Sequence, residues 1–228
     1  MLSLLLASAY FVLIHFGISG TRLRDALVAR IGEKPYRGVF SLASVVGILW
    51  MGYAYATAPL VETWGKLPGL RPVVFVAAFL ATLFVVIGLA TPTPTSAGLE
   101  DRLEKQTAEV RGITRITRHP FLWGVALWAL MHLIVNGDLA SLTLFGALFV
   151  LSLGGTALID AKRSRIYGRD WQAFAASTSN VPFGAIAAGR NQLGPALREI
   201  GLVRPAIAIA VYALVLVLHG RVIGVPLT

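Results

Sequence analysis

The chain has 228 residues, of which 56% are hydrophobic and only 14% charged, against roughly 25% charged in a typical soluble domain, and its mean hydropathy is +0.74. A water-soluble fold of this size cannot bury so much apolar surface, which excludes an independent soluble domain. The formal charge of +9, from 20 Lys and Arg against 11 Asp and Glu, would point to nucleic acid in a soluble chain, but here the charges follow membrane topology.

A helix needs about 20 apolar residues to cross a hydrocarbon core about 30 Å thick. In chain order, six stretches free of Asp, Glu, Lys and Arg answer to that requirement: 1–21, 38–61, 72–99, 120–137, 139–159 and 205–220. The first has no positive residue ahead of its apolar run and is longer than a signal peptide needs, so it is expected to be a retained helix. The third runs into Thr91-Pro92-Thr93-Pro94-Thr95, whose prolines lack amide donors, so its helix should stop near Ala90. The fourth and sixth are short. Only Asp138, in the turn Asn136-Gly137-Asp138, parts the fourth from the fifth, which predicts a tight helical hairpin. The fold class is all-α: a polytopic membrane bundle of about six transmembrane helices, forming one domain over residues 1–228.

Six crossings place both ends of the chain on one side. Of the 20 Lys and Arg, all but Lys66, Arg71 and Arg221 fall on the other side, which the positive-inside rule makes cytoplasmic, with both termini facing outward. A missed or extra helix would scramble this partition. In the cytoplasmic segment 99–118, Leu99, Leu103 and Val110 share a helical face, so a short interfacial helix is expected, with Glu100, Asp101, Glu104 and Glu109 on its solvated side. The last cytoplasmic connection, 160–204, carries Tyr167, Trp171 and Phe174. No repeat, heptad seam, phosphate-cradling loop or nucleophile elbow occurs. Cysteine is absent, which removes disulfides, thiolate chemistry and Cys-ligated metals.

The informative residues are then the few polar ones inside apolar spans, because an intramembrane ionisable group is costly unless it binds something. His15 lies in the first span, His132 in the fourth, His219 near the end of the sixth, and His119 at the cytoplasmic mouth of the fourth. Any one alone reads as a hydrogen bond to a helix carbonyl. Two on separate helices, with no Cys and no carboxylate inside a span, point to bis-histidine haem, since neutral imidazole is the commonest protein ligand of haem iron and a bundle builds such sites from inward side chains. His15 stands about 10 Å from the cytoplasmic edge and His132 about 9 Å from the outer edge, so their depths differ by roughly 11 Å. Two histidine backbones on one iron are separated by about 12 Å, which asks the porphyrin to lie rather flat. His219 is the rival second ligand.

The stretch Ile113-Thr114-Arg115-Ile116-Thr117-Arg118-His119-Pro120-Phe121-Leu122-Trp123-Gly124, followed by Ala126-Leu127-Trp128-Ala129-Leu130-Met131-His132 and Asn136-Gly137-Asp138, resembles the core of the NnrU family of bacterial membrane proteins. His15 with Ser19-Gly20-Thr21-Arg22-Leu23-Arg24, and the later Glu33-Lys34-Pro35-Tyr36-Arg37-Gly38, are similar to the same family over most of the chain. That family is related to the 15-cis-ζ-carotene isomerases, which use haem b. The resemblance implies haem b ligated by His15 and His132, in a multi-pass protein of the bacterial inner membrane with periplasmic termini. It also implies either isomerisation of a lipid-soluble polyene or a part in nitric oxide and denitrification metabolism. One departure stands out: the plant isomerases carry a further functional histidine on the next helix, where this chain has Leu151 and apolar neighbours.

Arg118-His119-Pro120 with Gly124, and Tyr167-Gly168-Arg169-Asp170-Trp171, also resemble S-adenosylmethionine-dependent membrane methyltransferases, although the acidic pair expected before the last motif reads Asp160-Ala161-Lys162-Arg163 here. A non-catalytic membrane assembly or regulatory protein is the third reading. His119 is the candidate catalytic residue, set against a plain interfacial helix start with Pro120 in the first turn. Trp128, one turn before His132, is the candidate stacking partner of a porphyrin, set against lipid packing. Arg118, and with it Arg115, is the candidate partner of the propionates, set against the arginine expected at any cytoplasmic helix end. Membrane lipids are the expected surroundings; the oligomeric state is open.

Overall fold

The computed structural model describes residues 1–96, 109–222 and 224. Among them there is no strand, only an isolated antiparallel bridge between Glu62 and Asp138. Helix α1, Leu2–Leu13, continues directly into a π-helical turn, Ile14–Ser19. Thr21 then accepts a hydrogen bond from Leu23 N at 3.2 Å and caps α2, Arg22–Ile31, as short hydroxyl residues do at helix starts. Gly32, at φ +85°, turns the chain into α3, Glu33–Ala56. Then come α4, Arg71–Leu89; α5, Pro120–Asn136; α6, Leu139–Ser177; α7, Gly184–Ala187; α8, Leu193–Ile200; and α9, Val203–Val222.

Among the described residues, five helical segments are long and apolar enough to cross a membrane, and α5 is an apolar helix of 17 residues, about 25 Å long. The protein is a multi-pass membrane bundle. The third span ends at Leu89, where the prolines of the following segment remove donors. The hairpin forms as expected, α5 ending at Asn136 and α6 beginning at Leu139. Three boundaries differ from expectation. Helix α3 starts five residues early, because Gly32 makes the break and Pro35 is tolerated in a first turn, and ends at Ala56, since Pro59 disfavours helix at Ala58. Helix α6 runs past Ile159 to Ser177, because charge does not end a helix; its break comes at Gly168, at φ 48° and ψ −114°. The stretch 109–118 holds a 3-10 turn, Gly112–Arg115, rather than an interfacial α-helix; Leu99, Glu100, Asp101, Leu103 and Glu104 lie outside the described residues.

The chain divides into two compact units. The first comprises Met1–Val74 and Ala129–Lys162. In it Leu4 and Ala7 of α1 are fully buried, and α1 packs on α3 where Gly47 admits the rings of Tyr10 and Phe11; a methyl group there would come within 2.9 Å of Phe11. The second comprises Phe75–Trp128 and Arg163–Thr228. There Gly124 of α5 lies against Ala81 and Val85 of α4, Tyr212 of α9 donates to the Phe75 carbonyl at 2.9 Å, and Ala196 and Ile200 of α8 pack with Ile87, Ile113 and Ile116. Large side chains such as Leu2, at 71%, and Leu89, at 70%, are exposed, which suits lipid rather than water.

Candidate functional site

His15 sits in the π-helical turn at the end of α1, and single π turns inside α-helices are frequent at functional sites. Its Nδ1 lies 2.7 Å from the Phe11 carbonyl. A carbonyl only accepts, so Nδ1 carries the proton and Nε2 keeps its lone pair. That is the tautomer and second-shell bond of a metal-ligating imidazole. Aromatic rings enclose it: Phe11 at 4.5 Å and Phe40 edge-on at 5.2 Å, with Tyr36 stacked on Phe40 at 5.9 Å and the Arg24 guanidinium 5.4 Å above Tyr36. Arg24 is itself paired with Glu33 at 2.7 Å, tying α2 to the start of α3.

His132 is placed by the hairpin. Its ring stacks on Phe145 at 4.6 Å and 26°, and Tyr55 of α3 meets Phe145 edge-on at 5.9 Å. One turn further along, Asn136 donates to Ser141 Oγ at 3.0 Å, Ser141 Oγ donates to Asp138 Oδ2 at 2.7 Å, and Tyr55 Oη lies 2.9 Å from Ser141 Oγ. Asp138 also caps α6, its Oδ1 accepting from Ser141 N at 2.8 Å. The turn is clamped from outside: Thr63 N and Gly65 N both donate to the Gly137 carbonyl, at 2.8 and 3.1 Å.

Helix α6 serves as a ruler for the two imidazoles. Phe16 lies over Gly154 and Leu158 lies against Gly20, so position 15 of the first helical segment is level with about position 153. His132 is level with Phe145. Eight residues of helix are about 12 Å along the axis, so the two histidines differ in level by about that much. Side chains on a helix lean toward its N-terminus; α1 and α5 run in opposite directions through the hairpin's frame, so each imidazole leans toward the other's level. Two imidazoles, one of them hydrogen-bonded through Nδ1, are donors of the type an iron porphyrin takes. Among the described residues, no group of three or more His, Cys, Asp or Glu that could hold a metal ion is found.

The other candidates lie in the second unit. His119 is 2% exposed, its backbone N–H donating to Thr117 Oγ1 at 3.2 Å. Arg118 places its guanidinium 5.6 Å from the Trp171 ring, and its carbonyl accepts from Thr95 Oγ1 at 2.5 Å. Arg163, 4% exposed, donates through Nε to the Pro94 carbonyl at 3.1 Å and lies 5.9 Å over Tyr167. Trp128 stands on α5 one turn before His132, and His219 in the last turn of α9. Arg115 is committed elsewhere: Nε and Nη2 donate to the two carboxylate oxygens of Glu199, each at 2.8 Å, and Nη1 to Asn191 Oδ1 at 2.8 Å. That fork, with Gly112 N donating to the same carboxylate at 2.6 Å, holds Glu199 down to about 2, chiefly through the Arg115 hydrogen bonds.

Sequence reasoning missed Phe40, Phe145, Tyr55 and the Arg115–Glu199 pair. The Asp138-x-x-Ser141 spacing was a readable capping signal; the partners on α3 and α8 had none.

The NnrU protein family matches residues 3–227. The chain is 28% identical over 196 residues to the 15-cis-zeta-carotene isomerase, chloroplastic, of Arabidopsis thaliana, covering 84% of this chain and 52% of that protein. It is 26% identical over 195 residues to the protein of the same name from Zea mays, with 83% and 52% covered. The chain thus spans about half the length of the curated relatives it matches. No solved structure matches it.

Proposed function

The chain belongs to the NnrU family, and from that premise we propose that it is a membrane isomerase of a lipid-soluble polyene that works with haem b held by His15 and His132. The observation that carries this reading is the His15 imidazole, which donates Nδ1–H to the Phe11 carbonyl at 2.7 Å inside a π turn and so presents Nε2 as a ligand. Its relatives' names supply the substrate class.

In this reading His15 and His132 hold the iron, each leaning toward the other's level, and Phe11, Phe40 and Phe145 exclude water from the imidazoles. Bound there, the haem would supply a redox-active iron able to exchange electron density with a conjugated polyene and lower the barrier to rotation about a double bond. The apolar outer faces of the helices let such a substrate enter from lipid. Nitric oxide, the partner in the denitrification reading, would meet the same iron. The charge partition of the connections supports a bacterial inner-membrane location with the start of α1 and the end of α9 periplasmic.

The test is an absorption spectrum of detergent-purified protein. A Soret band is expected, reduced at least about tenfold in haem content by His15→Ala and by His132→Ala. A colourless preparation from haem-replete cells would falsify the haem assignment. Conversion of a cis-polyene by the coloured protein, lost in both variants, supports the isomerase. S-adenosylmethionine at millimolar concentration should leave the melting temperature unchanged; a clear rise would favour methyl transfer instead.

A further inference from the structure

Ser141 is fully buried, and its hydroxyl is a hub. It donates to Asp138 Oδ2 at 2.7 Å, which leaves its two lone pairs for Asn136 Nδ2 at 3.0 Å and Tyr55 Oη at 2.9 Å. A carboxylate accepts and an amide NH2 donates, so the proton directions are fixed: Tyr55 donates to Ser141, and Ser141 to Asp138.

The hub lies one helical turn from the His132 stack on both helices of the hairpin. Asn136 follows His132 by four residues on α5, and Phe145 follows Ser141 by four on α6, the spacing that brings side chains onto one face. Tyr55 of α3 joins the two layers. Its ring backs Phe145 at 5.9 Å and 76°, while its hydroxyl is tethered to Ser141. The hairpin does not need that tether to stay closed. Asp138 already caps α6 through Ser141 N at 2.8 Å, and Thr63 and Gly65 already hold the Gly137 carbonyl.

We propose that Tyr55 and Ser141 are positioning residues for His132: the Tyr55 hydroxyl, locked to Ser141, fixes the phenyl ring of Phe145 against which the imidazole is stacked, and so fixes the orientation in which His132 meets its ligand. The proposal rests on the haem reading above. Holding the backing ring still holds the face on which the imidazole is stacked. Outer-shell groups of this kind change metal affinity by about 10–100-fold when removed.

The experiment compares wild type, Tyr55→Phe, Ser141→Ala and, as a control on the exposed side of the same helix, Tyr53→Phe. Tyr55→Phe keeps the ring and loses only the tether; Ser141→Ala keeps the backbone cap on Asp138 and loses the hub. For each, haem transfer to an excess of acceptor globin, the electron paramagnetic resonance signature of the ferric protein and the melting temperature of the haem-free form are measured. Expected is about tenfold faster haem loss and an altered ferric signature in both variants, with haem-free melting within a degree or two of wild type for Tyr55→Phe and no change in Tyr53→Phe. Wild-type rates and signature in Tyr55→Phe overturn the proposal. So does a fall in melting temperature shared equally by haem-free and haem-bound forms with the signature intact, which marks a merely structural role. A colourless wild type overturns this proposal together with the haem reading, whereas a coloured wild type with silent variants overturns this one alone.

Discussion

The two units of the molecule treat their buried polar groups in contrasting ways. Around His15 and His132 the neighbours are aromatic rings, and the hydrogen bond at His15 goes to a carbonyl of its own helix. Around His119 the polar groups are bonded across segments: Thr117 and Trp123 both reach the Asn180 carbonyl, at 2.5 and 2.8 Å, Arg163 reaches Pro94, and Arg115 forks onto Glu199. Bonds of this kind between segments distant in the chain hold a fold together. Imidazoles set among aromatic rings inside apolar spans are costly to place there, and they are the residues on which the haem proposal rests.

The contrast breaks most visibly if the imidazoles are removed. His15→Ala and His132→Ala should abolish most haem uptake while leaving haem-free melting within a few degrees, whereas His119→Ala should act chiefly on melting, because His119 is 2% exposed and sits within a bonded network. Equal haem loss from all three would merge the two regions. Next in size is Gly137→Ala. Gly137 adopts φ +60°, and a Cβ there would collide with the Gly65 backbone, so the change should cost about 3 kcal/mol, read as a lower denaturant midpoint. It should also loosen haem, since the same turn seats His132.

The Arg115–Glu199 pair sharpens the comparison on the other side. Its side chains are 26% and 29% exposed, so solvent screening limits Glu199→Gln to about 1 kcal/mol, with haem content unchanged. The Glu199 carboxyl is held at about 2 in the fold against an ordinary value of 4.5, so the unfolded chain takes up the proton first as acid is added. The pair's stabilisation is complete above about pH 4.5, declines from there to about pH 2 and is gone below. Melting of wild type and Glu199→Gln should therefore differ by a constant amount at neutral pH and converge in acid. The smallest effect is Tyr53→Phe, at a residue 72% exposed, which should change stability by less than about 0.5 kcal/mol.

Much of the architecture was legible without coordinates because its causes are local. The prolines after Ala90 stop α4 at Leu89, and the lone Asp138 between two apolar runs makes the hairpin turn. Other features were hidden because nothing local announces them. The π turn at His15 adds one residue to a helix without changing its composition. The continuation of α6 to Ser177 follows from a helix tolerating charge once it leaves the apolar layer, and its interruption at Gly168 depends on a positive φ that only the backbone path reveals.

By itself the sequence determined that the chain has several runs apolar enough to cross a membrane, how its charges divide among the connections and which imidazoles lie inside apolar runs, because hydropathy and charge are sums over neighbouring residues. Only the tertiary structure decided that Phe40 faces His15, that Tyr55 backs Phe145 and that Arg115 is taken by Glu199, 84 positions away. Such pairings depend on which helix lies beside which and in what register. A shift of one residue rotates every side chain by about 100° around its helix, so apolar composition constrains them hardly at all.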